Sequence, residues 1–258
     1  MSEIDVFAAY RKMFTSTEDG LVAWWYFGGA FVRPEGFPEL PVIQAETVMV
    51  YRTETVSADQ YKIHWWEIGL FRDQSTNLPV TTWENPVTGE AIKAPASFEE
   101  GPACFTITRN GTGIDVHLVQ ANANVRDVTV TARDIGGRVF LEQVERKIRG
   151  FPLPDGTIPD PDTADAFDAV TTLSIFCDRV ELEDPATDRV HSSGVYLLEL
   201  PALPLWMNFG DMKGDNIVRG RMIKSPSIDG TMNPVAWEDL KKAFPQRFDG
   251  DRIKPKWG

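Results

Sequence analysis

Three short segments of the chain share a spacing of residue types that could bind and transform a small molecule. In each segment a tryptophan is followed two positions later by a polar residue and four positions later by a glycine: Trp24, Tyr26 and Gly28; Trp65, Glu67 and Gly69; Trp206, Asn208 and Gly210. The carboxyl group of Glu67 could give or take a proton, and the phenol of Tyr26 and the amide of Asn208 could orient or polarise a substrate oxygen. The pattern therefore suggests acid/base chemistry beside an aromatic surface.

The spacing acquires a structural meaning if the three segments are β-strands. Side chains at i, i+2 and i+4 of a strand point to one face, so each triplet would share a face, and the residues between its members are almost all apolar. Glycine inside a strand often marks a place where a ligand or another backbone comes close. The substrate-binding residues that this pattern predicts for one common pocket are Trp24, Trp65, Trp206, Gly28, Gly69 and Gly210. The predicted catalytic residues are Glu67, Tyr26 and Asn208.

A purely structural explanation of the same pattern stays open. Small barrels fill their interior by alternating large and small side chains, so each glycine could make room for a ring on a neighbouring strand. Tyr26 could then be a core tyrosine whose hydroxyl group donates to a backbone carbonyl.

The surroundings of Glu67 give it particular interest, because a carboxyl group between Trp65 and Gly69 is expected to be buried. Burial without a partner raises the pKa of a carboxyl group, and such a group can exchange protons near neutral pH. The alternative is an ion pair between Glu67 and an arginine; the candidates are Arg109, Arg146 and Arg221.

The histidines and cysteines are weaker candidates. His64 lies three positions before Glu67, so the two side chains would occupy opposite faces of a strand, and we keep His64 and His117 only as second-choice catalytic residues. The three histidines show no metal-ligand spacing, and Cys104 and Cys177 lie in strand-like runs, where a thiol is usually a buried hydrophobic group. We therefore expect no metal site and no cofactor.

Most of the chain has the composition of strands, because β-branched and aromatic residues dominate it between turn residues. The predicted strands span 21–32, 42–55, 60–72, 103–109, 114–119, 127–132, 138–148, 169–182, 190–200 and 216–223. Helical spacing of apolar residues predicts one helix in 3–14 and another in 234–244. No alternation of strands and helices is present, so we expect a single mainly β domain over 1–258: an antiparallel β-barrel or strongly curled sheet with short terminal helices.

A loop rich in proline and aspartate at 150–165 interrupts this series of strands. A loop of such length inside a domain is usually a lid, a binding loop or a flexible excursion. We therefore consider a lid over the pocket as one of two alternatives for it.

Charge and hydropathy restrict the partners and the location. The formal net charge is −12 and the basic residues are scattered, which disfavours nucleic acid and anionic membrane surfaces as partners. No apolar run approaches the ~20 residues of a membrane span, and the N-terminal segment lacks the apolar core of a signal peptide. We therefore expect a cytoplasmic protein.

The segment at 67–95 carries a recognisable motif, Trp–x–Asn–Pro–x–Thr–Gly–Glu, after a Phe–x–Asp phrase. The residues concerned are Phe71, Asp73, Trp83, Asn85, Pro86, Thr88, Gly89 and Glu90. Together with "LWMNFGDMKGDNIVRGRM" at 205–222, this segment resembles the domain-of-unknown-function family numbered 1838. The resemblance implies a β-rich fold and no particular reaction. Physically, Asn85 to Gly89 has the composition of a tight turn.

Two functions fit these observations. The first is a cofactor-independent lyase or isomerase that acts on a small apolar or aromatic metabolite in a Trp-lined cavity. The second is a lipocalin-like protein that binds such a molecule without catalysis. The carboxyl group of Glu67 in an apolar wall favours the enzyme, since a carrier gains little from burying it. The absence of a recognisable catalytic motif favours the carrier. A homodimer is a further expectation, because both faces of the strands carry apolar residues.

Overall fold

Ten antiparallel strands close into a β-barrel in the computed structural model, which describes residues 4–120, 123–150, 162, 166–225 and 233–257. The strands are β1 (Gly20–Pro34), β2 (Leu40–Ser57), β3 (Gln60–Arg72), β4 (Thr82–Glu84), β5 (Ala91–Lys93), β6 (Ser97–Asn110), β7 (Gly113–Gln120), β8 (Ala123–Ile135), β9 (Arg138–Gly150), β10 (Ala166–Asp178), β11 (Ser193–Leu200), β12 (Gly214–Lys224), β13 (Phe248–Asp249) and β14 (Arg252–Ile253). Around the barrel their order is β1-β12-β11-β10-β9-β8-β7-β6-β3-β2. This architecture confirms the predicted antiparallel barrel.

Each of the ten predicted strands corresponds to one strand of the barrel, and the short hairpins β4–β5 and β13–β14 were not predicted. One predicted strand, 169–182, extends into a segment that is helical. β10 ends at Asp178, and helix α2 (Arg179–Glu183) begins directly after it. The side chain of Asp178 caps this helix, because it accepts a hydrogen bond from the backbone N–H of Val180. A local N-cap thus overrides the β-branched composition of this segment.

Helix α1 (Val6–Phe14) closes the end of the barrel at which β1 begins, which we call the helix end. Asp5 starts this helix, because its side chain accepts hydrogen bonds from the backbone N–H groups of Phe7 and Ala8. Tyr10 and Phe14 are buried in the same hydrophobic cluster as the inward-facing residues of the barrel. The apolar face of α1 therefore forms the floor of the barrel interior.

Helix α3 (Pro234–Ala243) packs on the outer surface of β1, β2 and β3. Trp237 and Leu240 contact a cluster that includes Trp25 and Trp66, two of the residues that alternate with the inward-facing triplets. Both faces of these strands are therefore covered, as the apolar composition of the outer face predicts.

Two segments cover the opposite end of the barrel, and we call them the cap: residues 79–95, which contain the β4–β5 hairpin, and residues 201–213. Asn85 joins them. Its Oδ1 accepts hydrogen bonds from the backbone N–H groups of Val87 and Thr88, which stabilises the turn, and its Nδ2 donates to the carbonyl oxygen of Met207 at 2.9 Å. The Trp83 ring packs edge-on against the Trp206 ring, with 5.9 Å between centroids. The motif that the sequence presents as a tight turn therefore holds Trp206 over the barrel interior.

Glycines in β1 and β12 allow the Tyr26 ring to lie flat along the barrel wall. A methyl group at Gly28 would lie 2.3 Å from both the Tyr26 hydroxyl oxygen and the Arg219 carbonyl oxygen, and one at Gly220 would lie 2.6 Å from the Tyr26 ring. We expect Gly28→Ala to lower the free energy of unfolding by about 1–3 kcal/mol, because either the ring or β12 must move. Urea denaturation measures this change.

Gly20→Ala is the matched control for this prediction, since Gly20 lies on the same strand and the nearest atom to its added methyl group is 3.8 Å away. We expect this variant to keep the stability of the parent protein within about 0.5 kcal/mol. Equal losses in the two variants would show that Tyr26 packing is not the cause.

Candidate functional site

A cavity of about 160 Å³ occupies the half of the barrel interior next to the cap. Its wall is mainly aromatic and aliphatic, and among the described residues it carries five charged side chains: Glu67, Glu100, Glu145, Lys147 and Arg149. A concave, mostly apolar space with a few convergent polar groups is the usual form of a small-molecule site. We take this cavity as the candidate functional site.

Four of the residues predicted from the repeated pattern line this cavity together: Tyr26, Trp65, Glu67 and Trp206. The alternation of strands β1 and β3 places the first three, because every second residue of each strand faces inward. Trp206 comes from the short 3-10 helix Leu205–Met207 of the cap. The structure therefore brings Trp65, Trp206, Glu67 and Tyr26 together around one cavity.

The predicted pocket residues Trp24, Asn208 and Gly210 do not line the cavity. Trp24 faces inward but lies at the helix end, where its Nε1 donates to the Phe14 carbonyl oxygen at 2.8 Å. Asn208 is exposed in a left-handed conformation, and its Nδ2 donates to Glu90 at 2.6 Å. Residues 205–210 form a 3-10 helix and a turn, so the strand alternation assumed for this segment does not apply.

Gly28 and Gly69 also lie outside the lining of the cavity, and they accommodate protein side chains. Gly28 lies under the ring of Tyr26, and a methyl group at Gly69 would lie 2.3 Å from the ring of Phe98. Both Tyr26 and Phe98 line the cavity. The structural explanation of these two glycines is therefore the better one, and they shape the cavity only through the rings beside them.

The second-choice residues His64 and His117 lie on the outer surface of the barrel. His64 faces away from Glu67, as strand alternation predicts, and its Nε2 lies 3.0 Å from the carboxylate of Glu54. His117 is exposed on β7. Neither side chain can reach a molecule in the cavity.

Of the two cysteines, Cys177 is buried in the core as predicted. Cys104 is half-buried, on β6 opposite His64 of β3.

A bulge in β6 brings a second carboxyl group next to Glu67. Trp65 pairs with Ala103, whereas Glu67 pairs with Glu100, so β6 contains one extra residue between these two pairs. Gly101, inside the bulge, has a φ of 97°, a conformation that glycine adopts most easily. The extra residue reverses the inward and outward alternation of β6. It therefore turns Glu100 into the barrel, where Glu100 and Glu67 form a side-chain hydrogen bond.

Glu100 is fixed by two donors in addition to Glu67. Arg149 Nη2 donates to its Oε2 at 3.0 Å, and Gln120 Nε2 donates to its Oε1 at 2.6 Å. The side chains of Arg149 and Glu100 are only 7% and 5% exposed. A buried ion pair of this kind needs additional hydrogen bonds to offset the loss of hydration, and Gln120 supplies one of them.

A second ion pair extends this network toward the helix end. Lys147 Nζ donates to Glu145 at 2.9 Å and to Gln120 at 3.3 Å. Gln143 donates to Glu145 at 2.6 Å and accepts a hydrogen bond from the Tyr10 hydroxyl at 2.5 Å. The network thus runs continuously from helix α1 to Glu100 beside Glu67.

The three arginines that the sequence analysis considers as ion-pair partners of Glu67 do not lie beside it. Arg109 and Arg146 form ion pairs with aspartates outside the cavity, and Arg221 is exposed. Arg149 and Lys147 are the cations that act on Glu67.

The pKa of Glu67 is raised well above its ordinary value of 4.5. Burial is the largest cause, and the neighbouring Glu100 carboxylate adds to it, while Arg149 and Lys147 lower the pKa without reversing the shift. Part of the Glu67 side chain retains accessible surface, and this surface faces the cavity. With a proton on Glu67, the two remaining carboxylates of the cavity balance its two cations. The site therefore holds a carboxylic acid that is directed into an apolar space.

This shift predicts a specific dependence of stability on pH. The folded protein binds a proton at Glu67 that the unfolded chain releases above about pH 4.5, so the contribution of Glu67 is complete below that pH and is lost as the pH rises through the raised pKa. Glu67→Gln removes the titration. We therefore expect the free energy of unfolding of Glu67→Gln, minus that of the parent protein, to increase between about pH 5 and 8.

Urea denaturation of both proteins over this pH range measures the difference. The difference is needed because Lys224, whose pKa burial lowers to about 7, titrates in the same range and its own contribution increases with pH. A difference that does not change with pH would contradict the raised pKa of Glu67.

Three polar atoms of the cavity lining have no hydrogen-bond partner among the described residues: Tyr26 Oη, Thr171 Oγ1 and Asn216 Oδ1. Burial, followed by the neighbouring Glu67, raises the pKa of Tyr26, so its hydroxyl group keeps its proton at neutral pH. The ring of Tyr196 packs edge-on against Tyr26, with 5.5 Å between centroids. Two neutral phenols thus lie within one wall of the cavity.

Most of the polar network was not predicted from the sequence. In "RVFLEQVERKIRG", Gln143, Glu145, Lys147 and Arg149 share a strand face with Val139 and Leu141. Their spacing of two residues indicates that these four polar side chains share one face of the strand. The other face of β9 also carries charged residues, so composition alone does not show which face lies inside the barrel. Glu100 could not be assigned to the interior without knowledge of the bulge at Gly101.

Neither a comparison with protein-family models nor a search of curated proteins gives a match for this chain. In the described ranges, no three His, Cys, Asp or Glu side chains come together in a way that could hold a metal ion. The helices found in those ranges are too short or too polar to cross a membrane.

Proposed function

We propose that this protein is a cofactor-independent lyase or isomerase that acts on a small, largely apolar or aromatic molecule inside the barrel. The observation that carries this proposal is the carboxyl group of Glu67, which is directed into an apolar cavity and has a raised pKa. An acid in such an environment is suited to proton transfer near neutral pH.

In this mechanism the proton of Glu67 turns from Glu100 to a substrate oxygen and is transferred to it. In a lyase the C–O bond to that leaving oxygen breaks at the same time, and in an isomerase the C=O double bond of a carbonyl group opens. The hydroxyl group of Tyr26 donates a hydrogen bond to the same oxygen and takes over the orienting role that the sequence assigned to Asn208. The carboxylate left on Glu67 then accepts a proton from a substrate carbon, so that the enzyme returns to its starting state. Arg149 and Lys147 stabilise the transient carboxylate, since both lower the pKa of Glu67.

The size of the cavity supports a ligand of about one ring. Its volume of about 160 Å³ is close to the ~150 Å³ of an engineered apolar cavity that binds benzene. Aromatic pairs add ~0.5–1.5 kcal/mol to the free energy of area burial, and Trp65 and Trp206 supply such surfaces.

A non-catalytic binding protein of the lipocalin type is the second candidate. The observation that favours it is the complete pairing of Glu100 with Arg149 and of Glu145 with Lys147. A network of this kind could serve only to support the barrel and to orient a ligand.

A fluorescence screen followed by product analysis tests the proposal. Single-ring aromatic and carbonyl compounds are titrated against the protein, and compounds that quench its tryptophan emission are incubated with it and analysed for isomers or elimination products. Turnover supports the enzyme, whereas tight binding without turnover of any bound compound supports the carrier.

Tryptophan variants show whether the quenching comes from the barrel interior. Trp65→Phe and Trp206→Phe should each reduce the quenching, because both side chains line the cavity. Trp237→Phe is the control, since Trp237 lies under α3 on the outer surface of the barrel. Loss of quenching only in the control would place the ligand outside the cavity and contradict the proposal.

A further inference from the structure

The charged side chains of the cavity neutralise one another before any ligand is present. Arg149 lies 3.0 Å from Glu100 and Lys147 lies 2.9 Å from Glu145, and all four side chains are at most 8% exposed. The fifth ionisable side chain of the lining, Glu67, shares a hydrogen bond with Glu100, and this bond requires a proton on one of the two carboxyl groups. Among the described lining residues, no cation is left for a ligand.

We propose that the cavity selects uncharged molecules of about one ring that carry a carbonyl or hydroxyl oxygen, and that it rejects carboxylates. This inference names the substrate class of the site, and its relevance to turnover rests on the proposed function above. Selection by charge is not implied by an aromatic cavity alone, because many single-ring molecules carry a carboxylate.

The cost of an unpaired buried charge explains why a carboxylate would be rejected. A carboxylate ligand would enter beside Glu67 and Glu100, and it could gain a cation only by separating Arg149 from Glu100 or Lys147 from Glu145. Either exchange replaces one buried carboxylate with another and leaves the displaced one without a partner. The ligand therefore loses its hydration without a compensating ion pair.

A cationic ligand meets the opposite difficulty. It would have to take its countercharge from Glu67, and both Arg149 and Lys147 already act on that carboxyl group. Glu67 would first have to lose its proton beside the buried Glu100 carboxylate, and in an interior that screens charges weakly this repulsion opposes the gain from the new ion pair.

An uncharged oxygen, in contrast, finds partners that are free. Tyr26 Oη and Thr171 Oγ1 can donate a hydrogen bond to a carbonyl group, and Asn216 Oδ1 can accept one from a hydroxyl group. Buried polar atoms without a partner destabilise a protein, so a ligand that satisfies them gains affinity.

A set of three probes of similar size tests the inference: acetophenone, which is neutral; benzoate, which is anionic; and benzylammonium, which is cationic. Their dissociation constants are measured at neutral pH by calorimetry and tryptophan quenching. We expect acetophenone to bind at least about tenfold more tightly than either ion. Equal or tighter binding of benzoate or benzylammonium would overturn the inference.

The variant Glu100→Gln tests the cause of the selection. It removes the carboxylate that neutralises Arg149, so benzoate should now bind at least about tenfold more tightly than to the parent protein, while acetophenone changes little. Benzoate should also raise the melting temperature of this variant more than that of the parent, because it supplies the missing countercharge. Glu142→Gln, on the outer face of β9, is the control and should bind all three probes as the parent does.

Failure of the inference can be distinguished from failure of the proposed function. If benzoate binds best but bound carbonyl compounds are turned over, charge selection is wrong and catalysis stands. If acetophenone binds best but no neutral compound is turned over, the ligand class stands and the protein is a carrier. If none of the three probes binds, both proposals are contradicted.

Discussion

Glu67→Gln is expected to lower turnover by ~10²–10⁴-fold while substrate affinity stays within a few-fold of the parent protein. Glutamine has nearly the same shape as protonated glutamic acid, so the cavity and the hydrogen bond to Glu100 are retained, but the amide cannot transfer the proton. Steady-state kinetics on a compound found by the fluorescence screen, together with its dissociation constant, separates the two effects.

Glu199→Gln provides the control for this experiment, because Glu199 is exposed on β11 and does not line the cavity. Its turnover should equal that of the parent. A Glu67→Gln variant with unchanged turnover would remove Glu67 from the mechanism, and loss of binding together with turnover would assign it to ligand recognition.

Arg149→Met should lower the free energy of unfolding by about 3–5 kcal/mol, the largest effect on stability that we expect. The variant leaves the Glu100 carboxylate buried with only the neutral Gln120 as a donor beside Glu67. Methionine fills much of the space of the arginine side chain, so the loss reports mainly the unpaired charge. Urea denaturation at neutral pH measures it.

Arg146→Met is the matched control, since Arg146 lies three residues earlier on the same strand and its ion pair with Asp127 is exposed. An exposed pair contributes ~0–1 kcal/mol. The double variant Arg149→Met with Glu100→Leu should lose less stability than the sum of the two single variants, because no charge is left without a partner. Similar losses in Arg149→Met and Arg146→Met would show that the interior pair contributes little.

The barrel strands could be predicted because their composition and their turns agree. The glycine-containing segment "DIGGR" joins β8 to β9, and the tight turn that the sequence predicts at Asn85 to Gly89 lies between β4 and β5. The positions of Trp65 and Glu67 follow from simple alternation within β3. Where a bulge or a turn changes the alternation of inward and outward side chains, prediction from the sequence pattern fails.

One bulge and one turn account for most of the differences between the predicted and the observed positions of the site residues. The bulge at Gly101 reverses the faces of β6 and brings Glu100 inside, although no hydrophobic pattern marks it. The 3-10 helix that carries Trp206 ends at Asn208, whose φ is 51°. The side chain of Asn208 therefore points to solvent. Periodicity describes regular strands, whereas both positions depend on backbone conformations that only the folded chain defines.

Several expectations from the sequence stay predictions. These are the resemblance to the family numbered 1838, the cytoplasmic location and the homodimer. The loop at 150–165, for which a lid is one of two alternatives, falls almost entirely outside the described residues.

The barrel closes by pairing its first strand, β1, with its last strand, β12. β1 pairs on one side with β2, its neighbour in the chain, and on the other side with β12, so that Trp24 lies opposite Lys224. Until β12 has left the ribosome, β1 and β11 each present a free hydrogen-bonding edge, and free edges are templates for aggregation. Pairing between such distant segments is also slow. Nascent chains of this protein should therefore depend on chaperones that hold unfinished sheets apart, and premature termination before residue 214 should yield insoluble fragments.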